Sequence, residues 1–428
     1  MNLMDQLLAD ISIPKFVKVR YEMDHSHIDD VEGAVREALK REGTLDRIKK
    51  GDTVCITSGS REVVNVARIT RAVCDLVKEV GGKPFIIPAM GSHAGADAEG
   101  QKGILAGYGV TEEAMGVPIR SSMETEVIGY AEDGQEVHID KYANAADFII
   151  PIGRVKAHTD FRGPVESGIC KMIVIGMGKQ HGAYQCHKMG FPNMSKNVMA
   201  FAKVVIEKKP NMFAIGLVEN AYHQTCRIEA VPAGKILEEE PEILAYSKKR
   251  MGKIPFGQAD ILLVDEAGKN ISGAGMDPNV TGRSPLLPTE PPFFQRIAVF
   301  DLTDCSHGNI GGVGNADVTT MRLYNKIDLE QTYANGITSA VPESVKIPVV
   351  MPAERTAIKF AMRTAVDTDW EKGCRIVWIK NTLSLSEFYI SEAMVQDAGK
   401  IPGMTVSSGL LEPQFDEEGN FTGFSEAR

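Results

Sequence analysis

The chain has 428 residues, with 47 Lys plus Arg against 57 Asp plus Glu and a formal net charge of −10. This excludes a general polyanion binder, because nucleic-acid affinity rests on basic surface that releases counterions. A content of 43% hydrophobic and 24% charged residues is that of a globular protein and not of a disordered or fibrous one.

Residues 1–16 set Asp5 and Asp10 among apolar side chains with no basic leader, so a secretory signal is not expected. No apolar run reaches the roughly 18 residues of a membrane span, and no membrane partner is expected. The seven cysteines, Cys55, Cys74, Cys170, Cys186, Cys226, Cys305 and Cys374, are scattered and never spaced C-x-x-C. That pattern predicts reduced thiols in a cytoplasm, not a disulfide framework or a structural zinc site.

In chain order, the stretch from Asp24 to Asp30, with His25 and His27, reads as an exposed turn before a helix. Buried strands are predicted at 53–57, 84–89, 147–152, 212–218, 260–264, 296–301 and 374–379, each a Val-, Ile- or Phe-rich run followed by a polar or Gly-rich loop. Between the first two, Val63, Ala67, Cys74 and Val77 share a face of a helix expected from 62 to about 80, ended by Gly81 and Gly82. Apolar runs alternating with helices indicate parallel strands covered on both sides. The predicted class is α/β: two doubly wound α/β domains, with the active site in the cleft between them. The boundary is placed in the charged, Pro-containing stretch 237–253, giving domains 1–252 and 253–428. The proline-rich run 285–292 reads as a stiff surface loop.

In such folds ligands bind outside the carboxyl ends of the strands, which selects a few loops. Ser58-Gly59-Ser60-Arg61 offers hydroxyls, amides and a guanidinium for an anion; the plainer reading is a helix cap. Gly91-Ser92-His93-Ala94-Gly95 puts a histidine at a strand end, as a proton carrier or as a turn residue bonding its own backbone. The stretch 154–188 is the densest: Arg154, Lys156, His158, Arg162, Lys171, Lys179, His181, His187 and Lys188 gather in an otherwise acidic chain. Lys171, between Gly168-Ile-Cys and Met-Ile-Val-Ile, is expected to be partly desolvated, which favours a nucleophilic or anchoring amine; it could also snorkel over the core. Gly176-Met-Gly178-Lys179 is neither a complete dinucleotide fingerprint nor a P-loop. His181, Cys186 and His187 match no standard zinc spacing. Two further loops follow strands in the second half, one with Lys269, Asn270 and Asp277, the other with Asp304 and His307. His138 and His223 carry no stronger case.

The pattern resembles the nickel-pincer lactate racemases and their 2-hydroxyacid racemase or epimerase relatives, over most of the chain and most strongly from Thr53 to His187. The resemblance rests on Ser58-Gly59-Ser60-Arg61 in the place of a phosphate-holding loop that ends in Arg, and on Gly91-Ser92-His93 as the Gly-x-His turn. It continues with Ala146-Asp147-Phe148-Ile149-Ile150 leading to His158, with Ser167-Gly168-Ile169-Cys170-Lys171, and with His187 downstream. It implies an isomerase whose cofactor is a nickel-pincer nucleotide, pyridinium-3,5-bisthiocarboxylic acid mononucleotide nickel, covalently attached at Lys171. By the same resemblance His187 would be the protein's metal ligand, and Arg61, Ser58 and Ser60 would grip the phosphate. His93 and His158 would be the acid/base pair on either face of the α-carbon, which loses and regains hydride. The implied partners are a small anionic hydroxy acid and cofactor-biosynthesis proteins. Lys269, with Asn270 beside it, is the candidate for the substrate carboxylate.

The chain departs from the lactate enzyme at three places. Ser-Gly-Ser-Arg replaces Asp-His-Thr-Arg, Ala94-Gly95 replaces the Arg-Pro after the first histidine, and the 158–171 segment is longer and adds Asp160, Arg162 and Glu166. These departures predict a substrate larger or more polar than lactate, a sugar acid or dicarboxylic hydroxy acid. Arg61, Arg154, Lys156, Arg162, Lys171 and Lys179, with Lys269 opposite, are expected to form a basic island around the cleft. A Schiff-base or ordinary metal-dependent enzyme, or a non-catalytic anion- or cofactor-binding protein on the same scaffold, remains the alternative.

Overall fold

The computed structural model describes residues 3–59 and 63–427. The chain divides into two compact units, one of residues 24–251 and one of residues 1–23 with 252–428. The class is α/β. No helix among the described residues is long and apolar enough to cross a membrane.

In unit 24–251 the strands Lys83–Pro88, Thr53–Ser58 and Phe148–Ile150 lie side by side in that order, all parallel. Every residue from Val54 to Ser58 is buried, as a strand covered on both faces requires. A second sheet runs Ile152–Arg154, Phe213–Glu219, Thr225–Pro232. Pro151 separates the two sheets in the chain, and the Thr57 hydroxyl accepts the Ile152 amide at 3.1 Å. The helix Val31–Arg41 is capped by Asp30, whose carboxylate accepts the Gly33 amide. It buries Val31, Val35, Ala38 and Leu39 at helical spacing. The helix Val66–Glu79 starts four residues later than its periodicity predicts, because Asn65 before it is left-handed with φ 63°. The strand order puts Thr53–Ser58 between two parallel neighbours reached in opposite directions, so its carboxyl end, at Ser58, is the topological switch point.

The other unit holds a ten-stranded mixed sheet. Val349–Met351, Val318–Thr320, Phe293–Leu302, Gln258–Ala267 and Ile376–Ile379 are parallel. Antiparallel strands Glu387–Ser391 and Phe16–Tyr21 and the hairpin Leu411–Phe415/Phe421–Glu426 extend it. Alternate residues of Gln258–Ala267 enter two apolar clusters, Leu262 and Val264 in one and Ile261 and Leu263 in the other, so both faces are covered. Here too the central strand ends at a switch point, followed by Lys269 and Asn270.

The expected division put residues 1–23 with the first domain; in the structure they belong to the second unit. Phe16 to Arg20 pair with Ser391 to Glu387, and the fully buried Phe16 ring meets Trp378 edge-on at 5.5 Å. Burying one such side chain contributes roughly 2–3 kcal/mol, which holds the N-terminal strand to this sheet. The charged stretch read as a boundary is the helix Ile236–Arg250, the last element of unit 24–251.

Candidate active site

The strand Ile152–Arg154 leads into an irregular segment held by a buried carboxylate. Glu166 is fully shielded. Its Oε2 accepts the His158 amide at 2.7 Å, and its Oε1 accepts Lys248 Nζ at 2.6 Å. Arg162 donates to the His158 carbonyl at 2.7 Å, and the His158 ring stacks on Phe161 with centroids 4.2 Å apart. Main chain and ring of His158 are therefore both fixed, with 8% of the residue exposed.

His158 Nδ1 accepts the Asp160 amide at 3.0 Å. His158 Nε2 stands 2.6 Å from Lys171 Nζ. Burial, then the Lys171 charge, pushes His158 well below the ordinary histidine range. The imidazole is neutral at pH 7.

Lys171 ends the short helix Ile169–Lys171, which runs into a π-helical turn, Met172–Gly176. Such turns interrupt helices frequently at functional sites. Glu240 accepts the Cys170 amide at 2.8 Å from inside the core, holding the start of the lysine's helix. His187 closes the helix Lys179–His187. Its Nδ1 lies 2.5 Å from the Ala183 carbonyl; a carbonyl only accepts, so Nδ1 carries the proton and Nε2 presents a lone pair. Burial lowers the His187 pKa, which keeps that lone pair available to a metal.

Ser58 is 1% exposed at the switch point, and its Oγ has no hydrogen-bond partner among the described residues. A buried hydroxyl left unpaired fits a ligand oxygen that would complete it. Ser60 and Arg61 lie outside the described residues. His93 is exposed in the turn after Lys83–Pro88. His181 is exposed and stacks on His138 at 5.8 Å, apart from any ligand cluster. In the other unit Lys269 Nζ donates to the carbonyls of Gly273 (2.7 Å) and Gly311 (2.9 Å), and Asn270 Oδ1 accepts the Thr303 hydroxyl.

Residues 4–199 match the family model of the lactate racemase N-terminal domain. That segment is thus a lactate racemase N-terminal domain. The match holds every candidate of unit 24–251 and ends before Lys269 and Asn270. Among solved structures the chain is similar to the lactate racemase apoprotein from Thermoanaerobacterium thermosaccharolyticum, with a TM-score of 0.46 and 13% identity over 86% of this chain and 88% of that chain. No curated protein sequence matches it. The domain match supports a racemase-like function.

The lactate racemase domain corrects the expected basic island. Lys179 is fully buried, 3.2 Å from Asp140. Arg154 is paired with Glu219 at 2.5 Å, and Arg162 serves the His158 carbonyl. These three charges are taken up inside the fold because each lies within reach of a buried acceptor. Glu166 and Arg162, read as substrate-polarity signals, likewise hold the His158 loop. Sequence reasoning missed Lys248 and Glu240, whose targets lie far along the chain, and Gln101, which reaches back to the His93 turn; only their placement in apolar helical faces could have flagged them.

Proposed function

We propose that the chain is a 2-hydroxyacid racemase or epimerase that inverts the α-carbon with a nickel-pincer nucleotide tethered at Lys171. The 2.6 Å approach of His158 Nε2 to Lys171 Nζ carries the reading: it joins a neutral acid/base group to an anchoring amine in one rigid segment. The residues fit the cofactor. Lys171 would hold it covalently, His187 Nε2 would bind the nickel, and Ser58, with Ser60 and Arg61, would hold the phosphate. Among the described residues no group of three or more His, Cys, Asp or Glu is placed to bind a metal, so a metal at His187 would take its other ligands from the cofactor. When bound, the cofactor supplies an electrophilic carbon that accepts hydride from the α-carbon.

The chain moves the hydroxyl proton. His158 Nε2 takes it once the ring proton sits on Nδ1, where Asp160 Oδ2, now 3.7 Å away, is the acceptor at hand. His93 does the same for the opposite enantiomer. For the substrate carboxylate the proposal keeps Lys269 and Asn270. Ala94 and Gly95, small where the lactate enzyme has Arg-Pro, support a substrate larger than lactate, a sugar acid or dicarboxylic hydroxy acid. Intact-mass measurement of protein from its native host tests the tether. A covalent adduct lost in Lys171→Ala is expected; an unmodified chain with stoichiometric zinc would favour an ordinary metal enzyme instead.

A further inference from the structure

Two fully buried polar side chains that the chemistry above does not use converge on one turn. Lys179, which opens the helix Lys179–His187, has no solvent exposure and a left-handed φ of 52°, a state that a lysine keeps only where its surroundings over-determine it. Its Nζ donates to the Pro88 carbonyl and faces Asp140 Oδ2 at 3.2 Å. Asp140 is held in turn: its Oδ1 accepts the amides of Tyr142 and Ala143, and its own amide donates to Met177. From another direction the buried Gln101 donates through Nε2 to the carbonyls of Gly91 (3.0 Å) and His93 (3.2 Å).

Pro88, Gly91 and His93 span the turn that carries His93. Backbone contact adds to the stitching: the Gly91 amide donates to the Gly176 carbonyl at 3.4 Å. A Cβ on Gly176 would stand 2.9 Å from the Ala89 oxygen. Gly176, in a run that fits no nucleotide motif, thus lets the segment bearing Lys171 and His187 lie against the loop bearing His93. Burying an ammonium is costly unless it is paired and hydrogen-bonded, and both partners of this one are built in.

We propose that Lys179 and Gln101 are positioning residues that fix the His93 turn against the Lys171–His187 segment. The inference rests on His93 being an acid/base group of the proposed reaction.

Lys179→Met and Gln101→Met remove the donors at similar volume. Hydrogen exchange of the whole chain, followed by mass spectrometry, should show amides 89–97 exchanging about tenfold faster in either variant, with the helix Val66–Glu79 unchanged. Carbethoxylation of His93 should change rate while that of the exposed His181 does not. In the nickel-loaded enzyme kcat should fall about tenfold with KM within about twofold, the split expected of a misplaced catalytic group. Should Lys179→Met fail to fold, Gln101→Met carries the test alone. Unchanged exchange at 89–97, or faster exchange throughout 24–251, would overturn the positioning role. A loosened turn with undiminished kcat would instead sink the acid/base reading of His93.

Discussion

Replacing Glu166 by Ala removes a buried carboxylate that ties the His158 loop to the helix Ile236–Arg250. Removing one partner of a buried ion pair typically costs about 3–5 kcal/mol. Lys248 and Arg162 are 38% and 24% exposed, so water takes up part of their orphaned charge. The His158 amide, without its acceptor, accounts for about 1–3 kcal/mol by itself. The expected loss is therefore about 2–4 kcal/mol for Glu166→Ala, and less for Glu166→Gln, which keeps an acceptor for the amide. Urea titration reads this as a midpoint shift at constant slope. Both tryptophans, Trp370 and Trp378, lie in the unit of residues 252–428, so their fluorescence follows that unit and far-UV circular dichroism is needed for the other. A circular-dichroism loss below about 1 kcal/mol for Glu166→Ala would refute the view that this carboxylate organises the loop.

Other outcomes follow from the same physics. Burial pushes Asp265, bonded to Trp378 Nε1, up to about 6. A carboxyl raised in the folded state contributes stability that is complete below its unfolded pKa of about 4 and lost as pH rises through about 6. Asp265→Asn should thus gain on the order of 2 kcal/mol at pH 7 and nothing near pH 4; equal gains at both would exclude the burial penalty as the cause. Lys171→Met removes a charge that depresses His158, so the His158 titration seen by NMR should move up toward, but not reach, the ordinary value; no movement would deny the close approach. Of the seven thiols only Cys305 is exposed and Cys226 half-buried, while burial raises Cys74, Cys186 and Cys374 to about 12. A disulfide reagent should label Cys305 fast, Cys226 slowly and the other five only on unfolding; rapid labelling of Cys186 would contradict the packing around Lys171.

The longer parallel strands were legible because each is a solid apolar run; Val318–Thr320 and Val349–Met351, three residues each, were too short to stand out. Phe16–Tyr21 was not legible either, since its partners stand at the far end of the chain and nothing local tells which sheet it joins. At the site, Lys171 stood out as a cation at the edge of an apolar run. Arg162 and Glu166 misled for a physical reason: composition counts charges but cannot show that a carboxylate is folded inward onto the backbone amide of His158.

The central claim is hydride transfer at the α-carbon, and it is tested most directly by following α-deuterium in a panel of 2-hydroxy acids with nickel-loaded enzyme in ordinary water. The account predicts that one acid, a sugar acid or dicarboxylic hydroxy acid, is inverted with its deuterium retained. Inversion with deuterium washed out to solvent would mean proton abstraction and would contradict it.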